Sequence, residues 1–167
     1  MTAEDIIRRL NLRPLQREGG YYRETYRSET ILPRIALTPE LKTNKSLSTA
    51  IYYLLTPDTF SAIHRLPFDE IYHFYLGDPV RLLILNPGGS SEVITLGPDL
   101  AEEHQVQMVV PKNRWQGSRL AAGGRWALMG TTVAPGFDFT DYQAGIREKL
   151  LAEYPSQADL IVGLTRS

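Results

Sequence analysis

The sequence predicts a mainly β fold, an antiparallel sandwich or barrel carrying a short N-terminal helix and C-terminal helices. Three observations lead there. Short runs rich in aliphatic, aromatic and β-branched residues follow one another from residue 47 to residue 133. Proline, glycine, asparagine and aspartate punctuate them. Helical periodicity is confined to the two ends. Many short strands at a spacing of about ten residues favour a sandwich or barrel over an alternating α/β chain.

In chain order, Ala3, Ile6, Ile7 and Leu10 fall at helical spacing and predict a short amphipathic helix over 3–10. Thr2 stands at the cap position, with Asp5 three residues on as an imperfect capping-box partner. Pro14 stops the segment, and Gly19-Gly20 turns the chain into 21–28, a strand rich in tyrosine and threonine. Alternation sets Arg23, Thr25 and Arg27 on one face of it and Tyr22, Glu24 and Tyr26 on the other. Residues 32–46, with two prolines, read as a loop. Strands are then expected at 47–55, 60–66, 71–76, 80–85, 92–96, 106–110, 115–120 and 126–133. The turns between them include Thr56-Pro57-Asp58, Gly77-Asp78-Pro79 and Asn86-Pro87-Gly88-Gly89. None of these has the Lys and Ser or Thr of a phosphate-binding loop. Leu150 and Leu151 mark a helix over 146–154, ended by Pro155. Ser156 is the expected cap of a last helix carrying Leu160, Ile161 and Leu164. With no repeat and no low-complexity tract, the chain reads as one domain over 1–167.

Composition narrows the function. The formal charge of -1 offers no general attraction to nucleic acid or anionic membrane. The absence of cysteine removes disulfides, thiolate metal sites and cysteine nucleophiles. No apolar run is long enough to span a bilayer, and charges interrupt the first ten residues, where a secretory signal would be continuous. A cytoplasmic location is the expectation.

Three histidines exist, and two lie within ten residues of each other: His64-Arg65-Leu66-Pro67-Phe68-Asp69-Glu70-Ile71-Tyr72-His73. Strand alternation puts His64 on one face with Ala62 and Leu66, and Glu70 on one face with Tyr72 and Phe74. A short turn at 67–69 lets His64 and Glu70 converge on one interior, while His73 takes the opposite side. An imidazole and a carboxylate in a barrel interior can ligate a metal, exchange protons or bind a polar molecule. The plainer reading is a structural histidine satisfied by its neighbours. His104, in a polar stretch, reads as solvated. Arg23 is the candidate contact for an anionic ligand, whereas Arg27 reads as an edge-strand charge. Asp138, after Pro135-Gly136, either orders a loop at the barrel mouth or caps local amides.

These residues carry a resemblance. His64, Leu66, Glu70 and Gly77 match the spacing of the first cupin motif, and Pro111-Lys112-Asn113-Arg114-Trp115-Gln116 resembles the second. Three further stretches resemble an uncharacterised cupin subfamily catalogued as a domain of unknown function: 17–28, 48–55 and 133–139. The resemblance implies a cupin-type double-stranded β-helix, or jelly-roll barrel, and a homodimer. It also implies a ligand position at Gln116, where the motif's third histidine falls. The second motif histidine is Leu66 and the motif glycine is Asn113. A metal, if bound, would be a weakly held divalent ion on His64, Glu70 and Gln116. Four functions stay open: a binder of a small polar or anionic molecule, a metal-independent sugar epimerase or isomerase with His64 as base and Tyr72 as acid, a weak metal enzyme, and a storage protein.

Overall fold

The computed structural model describes residues 1–34 and 43–166. Part of the expected 32–46 loop therefore lies outside the described residues. Helix α1 (Ala3–Leu10) is followed by β1 (Arg13–Pro14), β2 (Tyr21–Arg27), β3 (Ile31–Leu32) and β4 (Lys45–Ser46). Next come β5 (Thr49–Leu55), β6 (Phe60–Arg65), β7 (Glu70–Gly77), β8 (Val80–Leu85) and β9 (Ser91–Leu96). The chain continues through β10 (Gln107–Val110), β11 (Trp115–Leu120), β12 (Ala127–Val133) and β13 (Gln143–Ala144) to α2 (Arg147–Glu153) and α3 (Ala158–Gly163).

Two antiparallel sheets face each other. One runs β1-β2-β5-β12-β7-β10 and the other β13-β6-β11-β8-β9. The core between them is apolar at one end, where Tyr53, Tyr72, Phe74, Leu82, Ile84 and Met129 pack together. Helix α1 covers part of the outer face of the larger sheet by seating Ile6 on Leu54 and Leu128. Helices α2 and α3 cover the outer face of the smaller sheet, with Leu150, Tyr154 and Ile161 against Ile63, Leu83 and Leu85. The larger sheet keeps Tyr75 and Val109 exposed on its outer face. No helix among the described residues is long and apolar enough to cross a membrane.

Periodicity places the strands well because each has one face in a dry core. Three expectations need correction. First, the ends of the expected 32–46 loop are paired, with Ile31–Leu32 (β3) laddered to Lys45–Ser46 (β4). The turn expected at 67–69 leads from β6, which pairs with β11 and β13, to β7, which pairs with β12 and β10. The chain crosses from one sheet to the other there. Second, the register of β2 against β5 shifts between Glu24 and Tyr26. This bulge inserts one residue and reverses the alternation beyond it. Arg27 thus shares the inner face with Tyr22 and Glu24, opposite Thr49, and Arg23 does not. Third, Ser156 does not cap α3; Pro155–Gln157 form a 3₁₀ turn that runs directly into it. At α1 the capping box is complete: Asp5 N–H donates to Thr2 Oγ1 (3.2 Å) and Thr2 N–H to Asp5 Oδ2 (3.1 Å).

Candidate functional site

At the other end of the sandwich the two sheets part around a cavity of about 200 Å³. Its buried end is formed by His64, Leu66, Glu70 and Glu18. Its rim carries Arg13, Tyr22, Glu24, Arg27, Asp138 and Phe139. The smaller sheet supplies His64 from β6 and Gln116 from β11, directly opposite each other in register. The larger sheet supplies Glu70, the first residue of β7. Gln116 itself does not line the cavity; its Nε2 donates to Glu70 Oε2 at 2.8 Å, so one hydrogen bond joins the two sheets behind the cavity floor.

His64 is fully buried. Its Nδ1 lies 2.8 Å from the Ala62 carbonyl, which can only accept, so Nδ1 carries a proton and the ring is fixed. Nε2 then points to the carboxylates of Glu70 and Glu18, 3.9 Å from an oxygen of each. These are ion-pair separations and too long for hydrogen bonds. Tyr142 stacks on the imidazole with ring centroids 5.0 Å apart.

Glu18 is the residue that strand reasoning misses. It sits in the turn between β1 and β2, where no alternation assigns a face. Gly19 and Gly20 follow at positive φ, and a Cβ on Gly19 would fall 2.1 Å from the Phe60 carbonyl. Only glycine lets this turn press against β6. Tyr53 Oη donates to the Gly19 carbonyl (3.0 Å), the Ala62 N–H donates to the Glu18 carbonyl (2.9 Å), and Ser61 Oγ donates to Glu18 Oε1 (2.6 Å). The sequence signal was present, since Glu18-Gly19-Gly20 lies within the first stretch that resembles the cupin subfamily.

The electrostatics follow from this geometry. Burial works to depress the His64 pKa, but the charge of Glu18, and then Glu70, overcomes it and raises the pKa to about 9. Burial likewise pushes the Glu18 carboxyl up, against the pull of His64. Tyr72 packs into the core and does not line the cavity, and burial holds its hydroxyl well above 10.

At the rim, Arg27 makes a two-point contact with Glu24 (3.0 and 2.7 Å) and donates to the Phe137 carbonyl (3.0 Å). Arg23 lies outside the cavity, its guanidinium over the Tyr52 ring on the other face of the sheet. Asp138 fills both roles read from its setting: it lines the cavity and caps a 3₁₀ turn by accepting from Thr140 N–H and Oγ1 (2.9 Å each). That turn is fastened by the buried pair of Lys45 and Asp141. His73 faces the outer side, with Nε2 3.1 Å from Thr132 Oγ1. His104 is half-buried and accepts from the Asp99 N–H (3.3 Å).

The donor set fits a tightly held metal poorly. Among the described residues no group of three or more histidine, aspartate and glutamate side chains is arranged to hold an ion. One imidazole is present, and Leu66 presents hydrocarbon where a second would stand. Gln116 turns its amide N–H₂ to Glu70, and its Oε1 is buried without a partner.

Comparison with known proteins agrees with this architecture. Residues 4–145 match the family Cupin_5, described as Cupin superfamily (DUF985). An uncharacterised protein of Saccharomyces cerevisiae, YML079W, is 31% identical over 135 residues, which covers 75% of this chain and 67% of the yeast protein. The crystal structure of protein SO0799 from Shewanella oneidensis superposes with a TM-score of 0.86 at 36% identity, over 99% of this chain and 98% of that one. A hypothetical protein from Leishmania major superposes with a TM-score of 0.88 at 30% identity over the full length of both. Oxalate decarboxylase from Bacillus subtilis shares the fold at 15% identity and a TM-score of 0.56, over 93% of this chain and 37% of that one. By sequence and by architecture, the chain belongs to the cupin superfamily, in the family catalogued as DUF985.

Proposed function

We propose that this cupin binds a small polar molecule between its sheets, held at the floor formed by Glu18, His64 and Glu70. The observation that carries the reading is the imidazole itself. The His64 side chain is buried and lines the cavity, and its Nε2 makes no hydrogen bond of ordinary length among the described residues, with carboxylate oxygens of Glu18 and Glu70 each 3.9 Å away. Leaving buried polar atoms unpaired costs on the order of 1–3 kcal/mol each. A fold that only needed stability would fill this space with hydrocarbon, as it does at the other end of the same sandwich. A bound molecule recovers that cost by supplying the missing partners.

The test is a thermal-shift and calorimetric screen of small neutral polyols, carboxylates, phosphates and amines. A ligand that binds the native state raises its melting temperature by mass action. At least one class is expected to do so in the wild-type protein and to lose its effect in His64→Ala. If no class moves the midpoint, the reading fails.

A second reading is favoured by the three-residue cluster: proton transfer without a metal, as in an epimerase or isomerase. Here the roles differ from those expected of the sequence. With its pKa near 9, His64 is an imidazolium at neutral pH and acts as the acid. A carboxylate of Glu18 or Glu70 takes the role of base, and Tyr72 takes none. Incorporation of solvent deuterium at a carbon of a bound ligand, abolished by Glu18→Gln or by Glu70→Gln with binding retained, is the expected signature. Binding without exchange leaves the protein a binder.

A further inference from the structure

The chemistry of the cavity walls selects a substrate class, an assignment that rests on the binding reading. We propose that the cavity takes a neutral polyhydroxylated molecule and discriminates against anions, although arginines stand at its rim. His64 Nε2 lies 3.9 Å from Glu18 Oε2 and 3.9 Å from Glu70 Oε2. A ligand oxygen can stand roughly 2.8 Å from Nε2 and from a carboxylate oxygen that lies 3.9 Å from that nitrogen. That oxygen must accept from the imidazolium and donate its one proton to one of the two carboxylates. A hydroxyl does both. A ligand carboxylate or phosphate oxygen only accepts, and it would sit against two buried acids.

The rim does not reverse this preference. Arg27 is the residue best placed to draw in an anion, but its fork is filled by Glu24 and the Phe137 carbonyl. Asp138 adds a further carboxylate on the same rim. Arg13 bonds Tyr22 Oη (3.1 Å) and opposes the entry of a cation. Hydrocarbon also lines the cavity, from Leu66, Ile51, Val133 and Phe139, with Val133 beside Glu70 on the larger sheet. A hydroxylated ring has both surfaces in one body: hydroxyls for the acids, and a C–H face for the hydrocarbon wall.

Glucose, glucuronate and glucosamine test the inference, because they share one ring and differ in charge; myo-inositol adds a neutral ring of another kind. Affinity is measured by calorimetry and saturation-transfer NMR on the full chain. A neutral ring is expected to bind at least about tenfold more tightly than glucuronate. Glu18→Gln, which keeps the shape and removes the charge, is expected to narrow that gap by strengthening glucuronate binding. Glucuronate or glucosamine binding as tightly as the neutral rings overturns the inference, as does failure of every neutral ring to bind. If an anion from the broader screen then binds and depends on His64, the binding reading stands and only the substrate class falls. If nothing from any class binds, both fall.

Discussion

The buried imidazole of His64 ties the stability of this protein to pH. In the unfolded chain His64 titrates near its ordinary value of 6.5, and in the fold near 9. The folded state therefore holds its proton more tightly. The stabilisation is fully present below pH 6.5 and is lost as pH rises through 9, where the folded protein also releases the proton. The raised pKa of Glu18 acts with the same sign, since a carboxyl that favours its protonated form in the fold also loses stability as pH rises. A gap of about 2.5 units corresponds to about 3 kcal/mol. Urea denaturation of the wild type is expected to show falling stability between pH 6.5 and 9, and His64→Asn is expected to flatten that slope. A ¹³C- or ¹⁵N-detected titration reads the residue directly. An imidazole that loses its proton below pH 7 in the folded state would remove the acid role assigned to it and the slope together.

Among the elements, the segment 136–144 shows how polar contacts hold what hydrophobic pattern does not. It crosses the cavity mouth and brings Phe137, Asp138 and Phe139 to the rim and Tyr142 onto His64. Its anchors are few. Gly136 N–H donates to the Ser46 carbonyl (2.7 Å), Phe137 N–H to Thr49 Oγ1 (2.9 Å), and Lys45 Nζ to both oxygens of Asp141 (2.8 and 2.7 Å). Both side chains of that pair are almost fully buried. Lys45→Ala leaves a buried carboxylate unpaired and is expected to cost about 3–5 kcal/mol. Joint replacement by Met at 45 and Leu at 141 is expected to recover most of it, as read by urea midpoints. The same segment marks the limit of the sequence. Strands such as β8 and β11 were legible because each buries one face and period two follows. His64 and Glu70 were legible for the same reason, each sitting on a strand of known parity. The partnership of Lys45 with Asp141 spans 96 positions and leaves no periodic trace. Glu18 lies on a turn, and the bulge after Glu24 inverts the parity beyond it, so that Arg27 turns to the inner face while Arg23, before the bulge, does not. Alternation carries information only as far as the ladder stays regular.

Across the whole molecule, the site depends on both ends of the chain meeting on one strand. Strand β6 carries His64, and three segments bond to it in turn. Ala62 N–H donates to Glu18 O, Ile63 N–H donates to Leu164 O (2.8 Å), and the Ile63 carbonyl accepts from Gly145 N–H (2.7 Å). The N-terminal turn, the C-terminal end of α3 and the strap before α2 thus complete the sheet where the imidazole stands. Arg147 clamps the end of α3 through Thr165, bonding its Oγ1 (2.7 Å) and its carbonyl (2.6 Å). The two C-terminal helices also hide Ile63, Leu83 and Leu85 from water. The physics separates two kinds of damage. Leu150→Ala opens a void under α2 and is expected to cost about 2–5 kcal/mol, while leaving β6 bonded and ligand affinity within about twofold of wild type. Removal of 146–167 exposes an apolar sheet face and unpairs the middle of β6 at once, so burial and backbone bonding are lost together. The truncated chain is expected to lose its cooperative melt and to bind the dye ANS, with the near-ultraviolet dichroism of its tyrosines collapsed. A truncated chain that melted cooperatively and still bound ligand would show that β6 and its imidazole are held by the sandwich alone, and that the C-terminal helices contribute nothing to the site.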